Sequence, residues 1–182
     1  MPGVPFIYYG DEIGMRQLSG IKTKEGAHGG RAGDRTPMQW SSAANAGFST
    51  AEPEKLYFPV DSSSDAPNVA AQENDPDSLL NCVRKLIQLK HTKRALAAYA
   101  EFVPFYFKDN TYPFVYARAS GEEILLVILN PAAKTVSAEF AFPVAYSQLN
   151  LLDGKEVQVE RDNKTLRIKV PGQTYAIYQA VK

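Results

Sequence analysis

From residue 101 onward, the chain carries the pattern that most restricts its fold. Short runs rich in β-branched and aromatic residues recur at regular intervals, and turn-forming pairs such as Asn130-Pro131 and Pro171-Gly172 separate them. Evenly spaced short strands with turn signals between them predict an antiparallel sandwich or barrel. The predicted strands contain residues 105–107, 114–116, 124–129, 136–142, 149–152, 157–159, 166–168 and 175–178.

A helix is predicted immediately before this β region, over residues 77–91. Asp75 is a suitable N-cap and Pro76 suits the first helical position. Lys90 and His91 lie near the carboxyl end, where cations are favoured. Apolar residues at helical spacing give the helix one apolar face. These residues are Leu79, Leu80, Val83, Leu86 and Ile87.

The amino-terminal end begins with a dense apolar run, VPFIYY, over residues 4–9. A continuous run of this kind predicts a strand buried on both faces. The neighbouring sequence supplies no second such strand, because residues 16–75 are rich in turn-forming Gly and Pro. We therefore expect the chain to start in the middle of a domain.

Between the run and the helix, residues 31–49 form a long segment without periodicity. Such segments inside compact domains are usually functional or disordered. This one contains Arg31, Arg35, a restricted Thr36-Pro37 step and the chain's single Trp, Trp40. Guanidinium groups, an aromatic ring and a restricted backbone favour a loop that holds a polar ligand at the mouth of a pocket.

The charge balance excludes some classes of partner. Lys+Arg and Asp+Glu number 20 each, so the formal net charge is zero. A nucleic-acid or anionic-membrane partner normally requires a basic excess, and no apolar run is long enough to cross a membrane. No signal peptide is visible. The single cysteine, Cys82, does not decide between a cytoplasmic and a periplasmic location; on a helix it is expected to pack as a small apolar side chain.

Three segments together identify a family resemblance: PGVPFIYYGDEIGM at residues 2–15, RTPMQW at 35–40 and NAGFS at 45–49. They resemble the α-amylase superfamily of glycoside hydrolases (family thirteen), in the branch of α-glucosidases, oligo-1,6-glucosidases, dextran glucosidases and trehalose synthases. The resemblance implies an α+β chain: the terminal strand, loop and helix of a (β/α)₈ barrel, followed by an antiparallel all-β sandwich. Residues 4–12 would be the eighth strand, 13–75 its loop and 76–92 the eighth helix.

The implied domains are a barrel remnant over residues 1–98 and the sandwich over residues 99–182. A complete barrel takes about 250 residues, so the resemblance implies the carboxyl-terminal portion of a larger enzyme. Retaining glycosidases use a carboxylate nucleophile and a carboxylic acid about 5–5.5 Å apart. In the family these groups precede the eighth strand, and their motifs are absent from this sequence. Asp11 and Glu12 are neighbours that point to opposite sides, so no catalytic residue is assigned.

The resemblance also assigns roles within the loop. Arg31 is similar to an arginine that binds the non-reducing glucose, and Gln39 and Trp40 are further candidates for substrate binding. For Gln39 a hydrogen bond that closes the loop is the favoured alternative, and for Trp40 a packing role is favoured. Arg35 is expected to pair with a carboxylate and, with Asp34, to fix the loop. Ala32 departs from the family, whose members commonly have Asp there.

No cofactor and no metal site are expected, since His28 and His91 have no companions at metal-ligand spacing. The expected partner of the parent enzyme is an α-linked gluco-oligosaccharide. A trehalose synthase-type transglucosidase shares the same motifs and stays open, as does a non-catalytic β-sandwich that binds carbohydrate or stabilises a barrel. For the chain alone we expect no glycosidase activity, and self-association through its apolar amino-terminal run.

Overall fold

The structure of the protein is a computed structural model, which describes residues 3–23 and 29–181. It divides into two compact units: Pro5–Lys85, and Leu86–Lys182 together with the first four residues. The division falls within a helix of 14 residues. Among the described residues, no helix is long and apolar enough to cross a membrane.

The larger unit is an antiparallel sandwich of two sheets, as predicted. One sheet has the strand order β1-β2-β3-β8-β5 and the other has the order β4-β7-β6. The strands are β1 Glu101–Lys108, β2 Thr111–Ser120, β3 Glu123–Asn130, β4 Val136–Ala141, β5 Gln148–Gly154, β6 Gln158–Asp162, β7 Thr165–Val170 and β8 Thr174–Val181. Each of the eight predicted runs contributes to one strand, in the predicted order.

The sandwich core lies between the two sheets. Alternate side chains of β4 and β7 point inward, as the pleat of a strand requires. They meet the inward side chains of the five-stranded sheet in one cluster, which includes Leu126, Ile128, Phe140 and Leu166. Burial of this apolar surface is the main contribution to the stability of the unit.

A second cluster covers the opposite face of the five-stranded sheet. Leu86 and Leu89 of the long helix pack there against Tyr116, Val127 and Ile177. β3 is therefore covered on both faces, which explains why its sequence is a continuous apolar run rather than an alternating one.

Arg118 of β2 holds the segment between the long helix and β1. Its guanidinium is buried and donates hydrogen bonds from Nε to the carbonyl of Ala95 at 3.2 Å and from Nη2 to the carbonyl of Ala100 at 3.1 Å. The backbone N–H of Ala95 in turn donates to Glu123 Oε2 at 2.7 Å. These bonds fix an irregular segment whose carbonyls would otherwise lack partners.

The smaller unit, Pro5–Lys85, contains two α-helical segments: α1 Val69–Glu73 and the start of α2 Leu79–Thr92. Its apolar cluster consists of Ile13, Met38 and Leu80, with Met15 and Val69 packed beside them. The rest of the described unit is irregular and includes short 3-10 segments. These segments are Asp11–Ile13, Gly29–Arg35, Ala44–Gly47 and Pro53–Lys55.

Helix α1 corrects the expectation that residues 13–75 are loop throughout. Its N-cap is Asn68, whose side-chain oxygen accepts a hydrogen bond from the N–H of Ala71 at 2.9 Å. A helix of five residues is too short to show a periodic apolar face, so its capping residue is its main signal in the sequence.

The start of α2 also differs from the prediction, because Ser78 replaces Asp75 as the N-cap. Ser78 Oγ accepts from the N–H of Asn81 at 3.3 Å and donates to the carbonyl of Gln72 at 2.8 Å. Asp75 instead accepts from the N–H of Asp77 at 2.9 Å, within the turn that precedes the helix. Both residues favour caps, and the serine lies closer to the first apolar position.

The buried strand expected at residues 4–9 does not form. The run has no strand pairing, and its side chains are exposed: Phe6 is 94% exposed and Ile7 49%. A strand needs a hydrogen-bonded neighbour, and within the described part of Pro5–Lys85 there is no other strand to supply one.

Candidate functional site

A cleft of about 250 Å³ lies where the 31–40 loop meets residues 8–17 of the smaller unit. The carbonyl of Gly33 accepts a hydrogen bond from the N–H of Leu18 at 3.2 Å, and the hydroxyl of Tyr9 donates to the carbonyl of Thr36 at 3.0 Å. Gly33 allows this approach, because a Cβ there would lie 1.9 Å from the Leu18 oxygen. The loop is therefore held by main-chain contacts.

Asp11, which lines the cleft, and the adjacent Glu12 are tied to their own turn. Asp11 Oδ2 accepts from the N–H of Tyr8 at 3.0 Å, and Glu12 Oε2 accepts from the N–H of Gly10 at 2.8 Å. Both carboxylates thus stabilise the Asp11–Ile13 turn. Their geometry is that of capping groups rather than of a pair that faces one substrate.

Arg16, which lines the cleft, pairs with two carboxylates. Its Nη2 lies 2.8 Å from Asp61 Oδ2 and its Nη1 lies 3.0 Å from Asp65 Oδ2. The pKa of Asp61 is lowered, first by a hydrogen bond from Ser63 and also by Arg16; the pKa of Asp65 is lowered by Arg16. The clamp joins two loops that are about 45 residues apart, and sequence reasoning missed it.

The structure gives three predicted loop residues exposed positions. Arg31, Asp34 and Arg35 all have exposed side chains, and Asp34 lines the cleft. Within residues 3–23 and 29–181, the ion pair expected for Arg35 is not formed. Partial burial raises the pKa of the Tyr9 hydroxyl, and the nearby charge of Arg35 opposes this shift.

Gln39 and Trp40 have different environments although they are adjacent. Gln39 is 1% exposed and its Nε2 donates to the carbonyl of Pro67, which closes the loop from within. Trp40 is 51% exposed. The carbonyls of both residues accept hydrogen bonds from the first turn of α1, at 3.0 Å from Val69 and 2.9 Å from Ala70.

A left-handed turn at Asn45–Gly47 fixes the backbone beside Trp40. Asn45, Ala46 and Gly47 have φ values of 51°, 55° and 69°. Such conformations are unfavourable for most residues with a Cβ and favour Asn and Gly. Asn45 Nδ2 donates to the carbonyl of Ser49 at 3.0 Å, while the N–H of Trp40 donates to the carbonyl of Ala46 at 2.8 Å. The indole is therefore presented to solvent from a constrained backbone.

The described residues contain no candidate metal site. Over the described ranges, no group of three or more His, Cys, Asp or Glu side chains is placed to hold a metal ion. His28 lies outside the described residues, and Cys82 is half-buried on α2.

Solved structures of enzymes that act on sugars share this architecture. The crystal structure of the trehalose-6-phosphate hydrolase TreA of Bacillus licheniformis aligns with 100% of the chain at a TM-score of 0.76 and 25% identity, over 36% of its own length. The eight antiparallel strands correspond to the carboxyl-terminal sandwich of such enzymes.

The chain belongs to the α-amylase family, since the model described as the alpha amylase catalytic domain matches residues 1–98. The trehalose synthase/amylase TreS of Mycobacterium tuberculosis H37Rv is 41% identical over 107 residues, which are 56% of this chain and 17% of TreS. The oligo-1,6-glucosidase of Parageobacillus thermoglucosidasius is 29% identical over 93% of this chain and 34% of its own length. The chain thus spans about a third or less of these curated relatives. The family resemblance inferred from the three motifs is confirmed.

Proposed function

We propose that this chain is the carboxyl-terminal part of a retaining α-glucosidase-type glycoside hydrolase that acts on α-glucosidic bonds of oligosaccharides. The observation that carries the proposal is the family match over residues 1–98, which includes the whole arginine-containing loop. In this proposal residues 1–98 complete a (β/α)₈ barrel and residues 99–182 form the sandwich domain. Residues 4–12 are the eighth strand in the parent, where neighbouring strands cover the apolar side chains that are exposed here.

Arg31 is the proposed sugar-binding cation. Its guanidinium is exposed, and a planar fork of N–H donors can bind two hydroxyls of one ring without adding a competing base. Trp40 is the proposed stacking surface, because its indole is half-exposed on a constrained backbone. The buried amide of Gln39, which donates to the carbonyl of Pro67, supports a loop-closing role for this residue in the proposed site. Asp34 and Arg35 are proposed to fix the loop's outer side.

The bond-breaking acids are proposed to lie elsewhere in the parent enzyme. Retaining hydrolysis needs two carboxyl groups about 5–5.5 Å apart that face the same glycosidic bond. Asp11 and Glu12 each accept a main-chain hydrogen bond within their own turn. We therefore assign this chain to substrate binding and to completion of the fold, with α-linked gluco-oligosaccharides as the substrate class.

The test is kinetic and uses the longer enzyme. Arg31→Ala should lower kcat/KM for isomaltose or maltose by a factor that corresponds to about 1.5–3 kcal/mol, the typical contribution of a hydrogen bond to a charged group. Arg84→Ala is the matched control, because Arg84 is also exposed but pairs with Glu73 at 3.3 Å on a helix surface. An unchanged kcat/KM in the Arg31 variant would remove this residue from the site.

A transglucosidase is the second candidate, supported by the 41% identity to a trehalose synthase over 107 residues. Both reactions pass through the same type of covalent glycosyl-enzyme and differ in whether water or a sugar accepts it. Product analysis separates them: maltose supplied to the longer enzyme should give glucose if it is a hydrolase and trehalose if it is a synthase.

A further inference from the structure

Trp40 combines an exposed ring with a fixed peptide. The residue is 51% exposed, so burial in a core does not by itself account for its position. Its N–H donates to the carbonyl of Ala46 at 2.8 Å, and its own carbonyl accepts from the N–H of Ala70 at 2.9 Å. The N–H of Ser41, the next residue, donates to the same Ala46 carbonyl at 3.1 Å. The backbone that carries the indole is therefore held from both sides.

The turn that holds the N–H of Trp40 depends on the buried amide of Asn45. Asn45 is 8% exposed and has a φ of 51°, a left-handed conformation that Asn adopts more readily than most residues with a Cβ. Its Nδ2 donates to the carbonyl of Ser49 at 3.0 Å and to that of Ala51 at 2.6 Å. Both N–H groups of the amide thus tie the turn to the segment that follows it. The carbonyl of Ala46, which accepts from Trp40, belongs to the next residue along the chain.

Gly47 brings this turn against the base of the Trp40 side chain. A Cβ at residue 47 would lie 3.4 Å from the Trp40 Cβ and 2.6 Å from Ser41 Oγ. Non-bonded heavy atoms 2.6 Å apart overlap, so the turn comes this close because residue 47 has no side chain. A shift of the turn would therefore change both the hydrogen bond to the Trp40 N–H and the space beside its side chain.

We propose that Asn45 is a positioning residue, which fixes the indole of Trp40 for contact with a sugar ring. An aromatic side chain that is held in place before binding loses less conformational freedom when the ligand arrives, and one such side chain left mobile weakens binding by about twofold to tenfold. Asn45 is buried and its amide is engaged within the turn, so it acts through Trp40 rather than by touching the substrate. The contact of Trp40 with a sugar rests on the proposed function, whereas the control of Trp40 by Asn45 does not.

The first experiment uses the chain itself and observes Trp40 directly, because it is the single Trp. Asn45→Gly removes the amide and retains a residue that adopts positive φ readily. We expect a larger amplitude of fast motion in the fluorescence anisotropy decay of Trp40, and exchange of its N–H with solvent that is faster by about tenfold or more. Asn110→Gly is the matched control, since Asn110 is exposed in the turn between β1 and β2 and has a φ of 54°. This control should leave both measurements as they are in the wild type.

Unchanged anisotropy and exchange in folded Asn45→Gly would overturn the proposal, as would equal changes in Asn110→Gly. Gly47→Ala is the second variant, to be measured if Asn45→Gly does not fold. Its added Cβ displaces the same turn from Ser41 Oγ. It should therefore increase the motion of Trp40 in the same way, and a decay identical to that of the wild type would overturn the proposal.

The second experiment is a double-mutant cycle in the longer enzyme, with isomaltose or maltose as the substrate. Asn45→Gly should raise KM by about twofold to tenfold and change kcat by less than about twofold, because the position of the indole affects binding of the sugar rather than cleavage of the bond. In the Trp40→Ala background the same substitution should cause no further rise in KM, since its effect passes through the indole. A merely structural role would instead lower kcat in both backgrounds, because less of the enzyme would be folded.

The kinetic outcomes separate this inference from the proposed function. A rise in KM that Asn45→Gly also causes in the Trp40→Ala background would overturn the positioning role. An unchanged KM in Trp40→Ala alone would overturn the contact with the sugar. A longer enzyme that acts on neither sugar would overturn the proposed function, and the fluorescence and exchange results would then decide the control of Trp40 by Asn45.

Discussion

Two arginines of the sandwich differ in how much they contribute to the free energy of unfolding, because one is buried and the other is exposed. Arg118 is 1% exposed and donates to carbonyls of the segment before β1. Arg167 has a side chain 51% exposed and pairs with Glu139 at 2.8 Å. Removal of the first leaves buried carbonyls without donors, whereas the carboxylate freed by removal of the second is hydrated by water.

Arg118→Ala should therefore lower the free energy of unfolding by about 3 kcal/mol or more, since it removes several charge-assisted hydrogen bonds at once. Arg167→Ala should cost about 0–1 kcal/mol, the usual range for an exposed ion pair. Urea denaturation followed by circular dichroism measures both. Equal costs for the two variants would contradict the assignment of Arg118 as the group that holds the segment.

Asp61 should make the stability of the smaller unit depend on pH. Its pKa is lowered in the folded chain by Ser63 and Arg16, so its stabilising contribution is complete above the unfolded value of about 3.9. That contribution is lost as the pH falls through the lower, folded value. Trp40, the single Trp, lies in the same unit and reports on its unfolding.

The free energy of unfolding, monitored by Trp40 fluorescence, should fall between about pH 5 and about pH 2, where carboxyl groups titrate. It should fall more steeply for the wild type than for Asp61→Asn. The amide cannot titrate, so the variant should be less stable than the wild type at pH 6 and should lose less on acidification. Asp77→Asn, an exposed Asp in the same unit, is the control. Identical pH profiles for wild type and Asp61→Asn would exclude the clamp as a source of acid sensitivity.

The residues of the candidate site could be predicted from the sequence where a motif or a single position indicated them. RTPMQW and NAGFS pointed to the loop that contains Arg31 and Trp40. The Arg16–Asp61 contact carried no such signal, because its partners are distant along the chain and surrounded by ordinary loop residues. The exposed or buried state of Gln39 likewise depends on the path of the chain near Pro67, which no local pattern specifies.

At the level of elements, the β strands were predictable because short runs rich in β-branched and aromatic residues are separated by turn pairs over the whole sandwich. Burial alternates along β4 and β7, whereas the central strands β2, β3 and β8 have continuous buried runs. The two covered faces of the five-stranded sheet explain these runs. Helix α1 was not predictable from periodicity, since it has five residues. Residues 4–9 have the composition of a buried strand, but composition cannot supply the neighbouring strands that would pair with it.

The N-cap of α2 gives a prediction at this scale. Ser78→Ala removes an acceptor for the N–H of Asn81 and a donor to the carbonyl of Gln72. We expect a loss of about 1 kcal/mol in the free energy of unfolding, as is typical of N-cap serines. Ser42→Ala, at an exposed serine of the same unit, should change the stability by less than about 0.5 kcal/mol.

Thermal melts followed by Trp40 fluorescence compare the two variants within Pro5–Lys85. A Ser42→Ala variant as costly as Ser78→Ala would contradict the role of Ser78 as the N-cap. A larger effect of Asp75→Ala than of Ser78→Ala would instead restore the cap expected from the sequence.

For the molecule as a whole, the exposed apolar run at residues 4–9 predicts self-association. Phe6 is 94% exposed and lies beside Ile7 and the two tyrosines that follow. Contiguous exposed apolar surface promotes association. Sedimentation velocity should show a concentration-dependent mass for the wild-type chain that Phe6→Ser with Ile7→Ser reduces. Tyr99→Ser, at an isolated tyrosine 87% exposed, should leave the association unchanged; a wild-type monomer at all concentrations would contradict the prediction.

The final prediction concerns catalysis by the chain itself. A retaining glycosidase needs a nucleophilic carboxylate and a proton donor on opposite sides of one bond. In the part of the chain that the structure describes, Asp11 of the cleft and the adjacent Glu12 accept main-chain N–H groups, and the nearby Asp61 and Asp65 pair with Arg16. Asp34 is the other acidic residue that lines the cleft, and its side chain is exposed. A depressed pKa, as at Asp61 and Asp65, makes a carboxyl a poorer proton donor near neutral pH.

The purified chain should therefore hydrolyse p-nitrophenyl α-glucoside no faster than the same chain inactivated by heat. The assay is informative only with folded protein, so the melt of Trp40 fluorescence must first show a cooperative transition. Turnover that survives Asp11→Asn, Glu12→Gln and Asp34→Asn together would point to a contaminating glycosidase. Turnover that these substitutions abolish, while Asp77→Asn retains it, would show that this chain contains its own catalytic carboxylates and would overturn the assignment of bond cleavage to another part of the enzyme.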